Sequence, residues 1–568
     1  MTGTVISTKA LGRMEKSASN RSFDSLRSLK MTGSVISTEA RSAKWRNLIP
    51  AAMLCCLLAS CTGRFEYLNT NPNQVRYDQM QANNYMTGTK VVSLQSLVVP
   101  VQEHQYQFQE SLMGCPFAGY MGSTVDTWQA RWETYNPSGD WRRTTFTDIM
   151  TNFYAPYRGI LGGTDDEVAI AFANLFRVAV MQRLTDSYGP IPYSDVLKTE
   201  KVTVKYDSQE QVYGEMFEEL DAAIEAFSKN LSLPASSWAK YDRVYYGNIS
   251  QWLRYANSLK LRMAMRVSYA APELAQEKAS EAVASGSLIL VNADNAYIHP
   301  AENKLALIYN DWSDHRAAAD IICYMNGYKD PRLEKMFIKN HPEAADEASR
   351  KYAGLRIGST VSKKSEFVEN YSNMAVTASD PILWMNAAEV NFLLAEYELR
   401  FTKDNAKAQE YYEQGIKLSF EERGAAGAQE YIANGTDTPE LYIDPLGTYS
   451  AEKKMSECKV AWDTASDEEG HLEQIITQKW IAIFPLGNEA WAEYRRTGYP
   501  RLLPSPSNLG PYSIDLDRHA RRLVYPVEEY TSNGSNLDEA VSLLNGEAAS
   551  GSGDSMSTRL WWDCKVWL

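Results

Sequence analysis

The sequence predicts a mainly α-helical protein, in which tetratricopeptide-like helix pairs form a scaffold and long irregular loops join them. Three observations predict this class. Apolar residues recur at the spacing of one helix face in several windows of the chain. Capping residues stand at the starts of these windows. Between the windows lie long stretches rich in glycine, asparagine, proline and aromatic residues, which is typical of loops.

The first 60 residues are predicted to be a leader. Basic residues at positions 41–46 precede an apolar run, Leu48–Leu58, and small residues follow. This is the organisation of a secretory signal peptide, and the run is shorter than the ~20 residues of a membrane-spanning helix. The opening MTGTVISTKA returns almost unchanged as MTGSVISTEA at Met31. Because signal peptides usually run ~15–30 residues, we expect Met31 to be the working start.

The leader ends in the sequence LASC at residues 58–61, which resembles a bacterial lipobox. By that resemblance Cys61 becomes the lipid-modified first residue of the mature chain. The alternative is a plain signal peptide followed by an unrelated cysteine. Residues 61–75 contain the turn-forming cluster Asn69–Asn73 and are predicted to be a tether. Residues 76–568 are predicted to form a single domain.

The net charge of the chain without its leader excludes one class of partner. Without the leader the chain keeps 48 basic and 68 acidic residues, a formal net charge of −20. Such a surface repels phosphate backbones, so nucleic acid is not an expected partner. The mature chain shows no second apolar run that we expect to span a membrane. Membrane attachment is therefore expected through the lipid on Cys61 alone.

Helix starts can be placed in the first half of the domain. A capping box at Thr164–Glu167 predicts one helix, and Ser208 with Gln211 predicts a second. A third helix is centred on Trp252–Met263, and a fourth is expected over Pro272–Ala284. Together these windows predict the first helix pairs of the scaffold.

The pairing returns in the second half. Helices are expected over Ile382–Phe401 and Asn405–Phe420, where Ala408 and Tyr412 match one step of the tetratricopeptide pattern. A further helix, capped at Ser466, runs through Trp480. About four degenerate pairs would stack into a curved scaffold. An ordinary helical bundle is the alternative. The stretches 119–160, 287–380, 425–465 and 498–568 are predicted to be non-helical.

No motif in the chain indicates catalysis. The sequence lacks H-E-x-x-H, G-x-S-x-G, a Walker loop and G-x-G-x-x-G. Its six histidines and the four cysteines of the mature body, Cys115, Cys323, Cys458 and Cys564, are widely separated. We therefore expect no enzyme activity, no cofactor and no metal site, and free thiols rather than a zinc site. A glycosidase assembled from distant carboxylates stays open as an alternative.

Several segments taken together resemble the SusD/RagB family of outer-membrane nutrient-binding lipoproteins of Bacteroidetes. They are Trp252–Arg262, Ala387–Glu396, Gln478–Ala482, Glu489–Pro500 and Thr558–Asp563. The resemblance implies a noncatalytic helical body held at the outer membrane by its lipid, facing the cell surface. It also implies a partner, a TonB-dependent SusC-like transporter over which the lipoprotein sits.

Scaffold and ligand residues are expected to differ in kind. We expect Trp480, Trp491 and Trp562 to be buried packing anchors, and Arg495 and Arg496 to pair with acids. Aromatic and polar residues in the long loops are the candidate ligand contacts, because sugars stack on rings and bond to polar groups. These candidates are Trp128, Arg131, Trp132, Tyr135, Asn136, Trp141, Tyr309, Asp311 and Trp312.

The sequence thus predicts a surface lipoprotein that captures a nutrient glycan and delivers it to the transporter. Three alternatives remain open. The same device could capture peptides, the repeats could serve only as an assembly scaffold, or the chain could be the glycosidase mentioned above. Fold alone does not decide among nutrients.

Overall fold

A computed structural model describes residues 84–198, 203–344, 346–464, 466–547 and 553–566. The leader, Cys61 and the tether lie outside these residues, so the predictions about them stay predictions. The helices, numbered in chain order, are α1 (Tyr85–Val98), α2 (Glu103–Tyr106), α3 (Cys115–Phe117), α4 (Gly139–Thr145), α5 (Thr147–Leu161), α6 (Glu167–Tyr188), α7 (Gln209–Lys229), α8 (Ile249–Arg266), α9 (Pro272–Ala284), α10 (Ala319–Gly327), α11 (Leu333–Met336), α12 (Lys364–Asn370), α13 (Ala387–Tyr397), α14 (Asn405–Arg423), α15 (Ala428–Ile432), α16 (Glu468–Ala482), α17 (Gly487–Thr497), α18 (Val527–Ser532) and α19 (Gly534–Glu547).

Shorter elements complete the described part. The π-helical segments are Gln107–Gly114, Leu307–Asp311 and Glu398–Thr402, and the 3-10 turns are Trp132–Thr134, Ala235–Ser237, Asn292–Asp294 and Glu347–Ser349. The strands are β1 (Met121–Ser123), β2 (Ala296–Ile298), β3 (His315–Ala317), β4 (Phe337–Ile338), β5 (Asn373–Met374) and β6 (Ile382–Met385). They pair antiparallel as β1–β3, β2–β6 and β4–β5.

Capping chemistry sets most helix starts near the predicted places. The hydroxyl of Ser208 accepts a hydrogen bond from the Gln211 amide at 3.1 Å and begins α7. Pro272 occupies the first position of α9, where a missing N–H costs nothing. At α6 the cap is Asp166, whose carboxylate accepts from the amides of Val168 and Ala169, rather than Thr164.

The helix pairs form the predicted scaffold. Consecutive helices pack as α6 with α7, α8 with α9, and α13 with α14. The pairs then stack on one another, because α7 packs on α8, α8 on α13, and α13 on α16. A large buried cluster of apolar side chains runs through these contacts. The mainly α, tetratricopeptide-like fold class is therefore confirmed.

One described helix, α6, is long and apolar enough to cross a membrane by length and composition. Most of its most apolar window is buried inside the protein. Its apolar surface faces α7, α1 and α5 rather than solvent.

The prediction that four long stretches are non-helical is wrong in part. Residues 119–160 contain α4 and nearly all of α5, and residues 498–568 contain α18 and α19. The stretch 287–380 contains the shorter helices α10, α11 and α12, and 425–465 contains α15. In the opposite direction, residues 382–385 were expected to begin a helix but form β6. That strand pairs with β2, some 85 residues earlier in the chain, so the pairing is non-local and overrides local preference.

Charged side chains lie buried where α6, α8, α13, α16 and α17 meet, and we call this group the ionic core. Arg496 donates to both carboxylate oxygens of Glu396 at 2.6 Å and to Glu493 at 2.7 and 3.0 Å. Trp480, Trp491 and Trp562 are buried nearby, as predicted. The ionic core comprises Asp186, Arg262, Arg266, Glu389, Glu396, Lys479, Glu489, Glu493 and Arg496.

The pairing prediction holds for Arg496 but is wrong for Arg495. The Arg495 guanidinium stacks over the Trp491 ring, 3.5 Å from its centroid, and donates to main-chain carbonyls of Asp186 and Arg521. Burial alone would raise the pKa of Glu493, but Arg496, Lys479 and Arg266 hold that pKa well below its ordinary value. The acids of the ionic core are thus structural counter-charges.

Candidate functional site

Three of the predicted ligand rings lie in the core. Trp132 and Tyr309 are fully buried, and Tyr135 is 1% exposed. The Tyr309 hydroxyl shares a 2.8 Å hydrogen bond with the Ser111 hydroxyl, and the Tyr135 hydroxyl lies 3.2 Å from Nδ1 of His519. A ring without an open face cannot stack on a sugar. The assignment of these three residues as ligand contacts is therefore wrong.

Two of the polar residues predicted as ligand contacts instead form hydrogen bonds within the protein. The buried Arg131 guanidinium bonds to the Glu133 carboxylate at 2.6 Å and to the Ser359 carbonyl at 3.0 Å. The Asn136 amide closes its own loop, because it accepts from the Arg131 amide and donates to the Gln129 carbonyl. These groups hold the loop in shape and are not available to a ligand.

The remaining predicted rings form two neighbouring groups, and the structure adds one ring to each. Trp312 stacks on His104 with ring centroids 5.3 Å apart and planes 23° apart. Trp141 meets Trp128 edge-on at 5.7 Å and Phe108 edge-on at 5.8 Å. His104 and Phe108 are four residues apart on one helical stretch, so they lie on similar faces. We call these five rings, Trp312, His104, Phe108, Trp141 and Trp128, the aromatic row.

The rings of the row differ in exposure. His104 is exposed, and Phe108, Trp128 and Trp312 are half-buried. Trp141 is only 8% exposed and packs against the rings of Phe108 and Trp128. Behind Trp128 lies the buried ring of His315, at 6.5 Å between centroids, and burial lowers the pKa of His315 to about 4. That imidazole is therefore neutral at physiological pH.

A single buried carboxylate joins the loops that carry the row. Asp314 accepts from Nε2 of Gln107 at 2.9 Å and pairs with Lys364 at 2.5 Å. Its main-chain carbonyl accepts from the Thr124 amide at 2.9 Å, next to the β1–β3 pair. The segments before Trp128 and after Trp312 are thereby held side by side. The row is a fixed surface of the folded protein.

The polar surroundings of the row are acidic. Asp311 is exposed, and its carboxylate has no hydrogen-bond partner among the described residues. Glu103 and Asp126 are half-buried on the same segments, and Asp126 accepts from the Lys364 amide at 3.1 Å. Asp311 is thus the predicted polar residue that remains free for a ligand. The acids nearby disfavour anionic ligands at the row.

His104 and Phe108 were missed because they lie on a helical stretch rather than in a loop. The segment Glu103–Phe117 buries its other side, including Glu110 and Cys115, in the core. Its sequence therefore looks like an ordinary amphipathic element. No local signal distinguishes its outer rings from surface residues.

Metal binding finds no support in the described ranges. No group of three or more His, Cys, Asp or Glu side chains is arranged there to hold a metal ion. The thiols of Cys115 and Cys323 are buried and those of Cys458 and Cys564 half-buried, all four free. A surface of rings with few polar groups is suited to binding.

Comparison with known proteins identifies the family. A family model described as SusD-like, Susd and RagB outer membrane lipoprotein, matches residues 67–563. The chain belongs to the SusD-like family. This confirms the resemblance found in the sequence, and it supports an outer-membrane location. No match was found among curated proteins.

Solved SusD-like structures share the fold over nearly their whole length. A SusD homologue of Bacteroides thetaiotaomicron is 46% identical, with a TM-score of 0.80, over 85% of this chain and all of that one. A Bacteroides uniformis homologue is 42% identical, with a TM-score of 0.78 and the same coverage. A chitin-binding SusD homologue of Flavobacterium johnsoniae is 36% identical, with a TM-score of 0.76, over 85% of this chain and 99% of that one.

Proposed function

We propose that this SusD-like chain is a noncatalytic, lipid-anchored surface protein that captures a nutrient glycan on the aromatic row. The observation that carries the proposal is the row itself. Three half-buried rings and the exposed His104 present ring faces and edges at one surface, with Asp311 beside them. Sugars offer C–H faces to such rings and hydroxyls to such carboxylates.

The size of each contact sets the expected affinity. One ring stacked on one sugar contributes on the order of 1 kcal/mol, similar to other ring contacts. Binding therefore needs several rings at once, and it should strengthen with oligomer length until the row is covered. The acidic surroundings favour neutral or amino sugars over acidic ones. The chitin-binding relative from Flavobacterium johnsoniae makes chitin oligomers the first ligands to test.

The test is isothermal titration of chitin, starch and xylan oligomers and of mixed peptides. Trp312→Ala and Trp128→Ala should each weaken glycan binding by roughly tenfold, equal to about 1.4 kcal/mol. Tyr85→Ala, which removes a ring 42% exposed on α1, is the matched control and should bind normally. Normal binding by both row variants would place the site elsewhere. Peptide binding without glycan binding would replace glycan by peptide as the nutrient.

Lipid attachment at Cys61 is part of the proposal. A clickable fatty acid should label the wild-type chain in cells and fail to label Cys61→Ala. Surface exposure can be read from protease shaving of intact cells, which should release the wild-type domain. Equal labelling of the two chains would contradict the lipoprotein assignment.

Delivery to a TonB-dependent SusC-like transporter completes the proposal. Family membership supports this partner. Affinity purification of the tagged chain from native outer membranes should recover one such barrel in near-stoichiometric amount. The glycan oligomers recovered after incubation with the purified chain should be uncleaved. A shortened product would favour the glycosidase alternative.

A further inference from the structure

A second concave site lies between two loops of the C-terminal half. Its volume is about 810 Å³, within the range of small-molecule pockets. Residues 450–455 form one wall and residues 501–504 the other, and none of the five rings of the aromatic row lines it. We call this site the basic cleft.

One arginine, Arg356, connects the two walls of the basic cleft. Arg356 donates from Nη1 to the Tyr449 carbonyl at 2.9 Å, and from Nε and Nη2 to the Pro504 carbonyl at 3.1 and 2.8 Å. One guanidinium therefore ties the two walls together. Just before the first wall, the Asp444 carboxylate accepts from the amides of Thr448 and Tyr449 at 2.8 and 2.9 Å. The shape of the cleft is thus set before any ligand arrives.

The lining carries an excess of positive charge. Arg356, Lys453, Lys454 and Arg501 line the cleft, against Glu452 and Asp517. The two lysines and Arg501 are exposed to solvent. Lys454 donates to the Thr438 hydroxyl at 2.8 Å, and Arg501 lies 3.6 Å from the Glu473 carboxylate, so a ligand would share these two cations with the protein. This local excess stands out on a chain whose net charge is −14. A concave site of one sign concentrates ligands of the other sign.

Arg356 itself retains capacity for an anion. Three of its five N–H groups go to main-chain carbonyls, which leaves two for a ligand. Among the described residues, no carboxylate forms a salt bridge with it within 4 Å. Arg356 acts electrostatically on the buried Asp320, whose carboxylate accepts from the Leu503 amide at 2.7 Å. A planar guanidinium with two free donors fits a carboxylate.

We propose that the basic cleft binds the carboxylates of a short acidic oligosaccharide. Met455, Leu502 and Leu503 also line the cleft, and sugar rings present both C–H faces and polar groups. The aromatic row has acidic surroundings, so an acidic sugar is directed to the cleft instead. The proposal does not depend on glycan binding at the row.

The test is isothermal titration of the mature chain with trigalacturonate, at low and at high salt. Binding should be present at low salt and weaken as salt rises, because exposed ion pairs are screened. Lys453→Glu/Lys454→Glu and Arg501→Glu should each weaken it at least tenfold, with unchanged melting temperature. The matched control is Lys407→Glu/Lys417→Glu on α14, which reverses one exposed and one half-buried charge outside the cleft lining and should bind normally.

Further measurements with the same ligand decide the proposal. Trp312→Ala should bind trigalacturonate like wild type, and chitotriose should not compete with it. Loss of trigalacturonate binding in Trp312→Ala would place acidic sugars on the row and overturn the proposal. So would an absence of binding at low salt, or equal binding by the charge-reversed variants. Tighter binding of triglutamate than of trigalacturonate would show a site for acidic peptides instead.

Discussion

Replacing Arg496 by methionine tests whether the ionic core holds the helix pairs together. In the wild type this one guanidinium bonds to both oxygens of Glu396 from α13 and to Glu493 of its own helix. Arg496 and Glu396 are at most 1% exposed. Without Arg496, the one cation within the described ranges that still contacts Glu396 is Arg400, at 3.1 Å. The substitution therefore leaves a buried carboxylate largely uncompensated.

The expected loss of stability in Arg496→Met follows from the burial of Glu396. Removing one partner of a buried ion pair costs about 3–5 kcal/mol, because the remaining charge stays desolvated. The unfolding entropy of about 2.1 cal/mol/K per residue, over the roughly 470 described residues, is about 1 kcal/mol/K. The melting temperature of Arg496→Met should therefore fall by about 3–5 °C. Methionine has a similar volume, so the loss reports charge rather than a cavity.

The assay is a thermal melt followed by near-ultraviolet circular dichroism, with a double-mutant cycle. Glu396→Gln/Arg496→Met removes the stranded acid, so it should melt above Arg496→Met alone. An additive cycle would show that the two residues do not interact. An unchanged melting temperature for Arg496→Met would refute the argument that the ionic core stabilises the scaffold.

Three other predictions follow from single residues. Tyr412 is fully buried and donates to the Val460 carbonyl at 2.6 Å, so Tyr412→Ala should cost about 3–5 kcal/mol and Tyr412→Phe only about 1–3 kcal/mol in chemical denaturation; equal losses would contradict this. Burial raises the pKa of Asp320 to about 6. The free energy of unfolding should therefore fall by up to about 3 kcal/mol as pH rises from below 4 to above 6, because the buried carboxyl group must then ionise. Asp320→Asn should therefore gain melting temperature relative to wild type at pH 8 but not at pH 4, and a pH-independent difference would exclude the titration. Trp132→Ala should lower the melting temperature by several degrees and Trp312→Ala should not, which separates core from surface among the predicted rings; a reversed order would contradict the burial pattern.

The scaffold could be predicted from sequence because its signals are local. Ser208 and Pro272 mark helix starts through chemistry that acts within one turn. The periodic apolar faces of α7 and α14 identify helices without knowledge of their neighbours. Strand β6 was missed because its partner β2 is distant in sequence. Helices α4 and α5 were missed because their many aromatic and polar residues look like a loop.

The ligand surface was only partly predictable, since one residue type performs two tasks. Trp128 and Trp132 have the same side chain and lie four residues apart, yet one reaches solvent and the other is fully buried. That difference depends on which segments cover each ring, which the sequence does not state. The sequence predicts Arg131 as a ligand contact because it does not identify Glu133, two residues away, as the counter-charge of Arg131.

The helical segment Glu103–Phe117 has a consequence for how such proteins diversify. Its inner side is fixed by the core, where Glu110 accepts from the Asn488 amide at 3.1 Å. Its outer side places His104 and Phe108 on the aromatic row. Exchanging these outer rings changes the chemistry offered to a ligand while the inner contacts stay intact. Selection for a new nutrient can therefore act on positions 104 and 108 with little loss of stability, and these are the positions to randomise in a library screen for altered specificity.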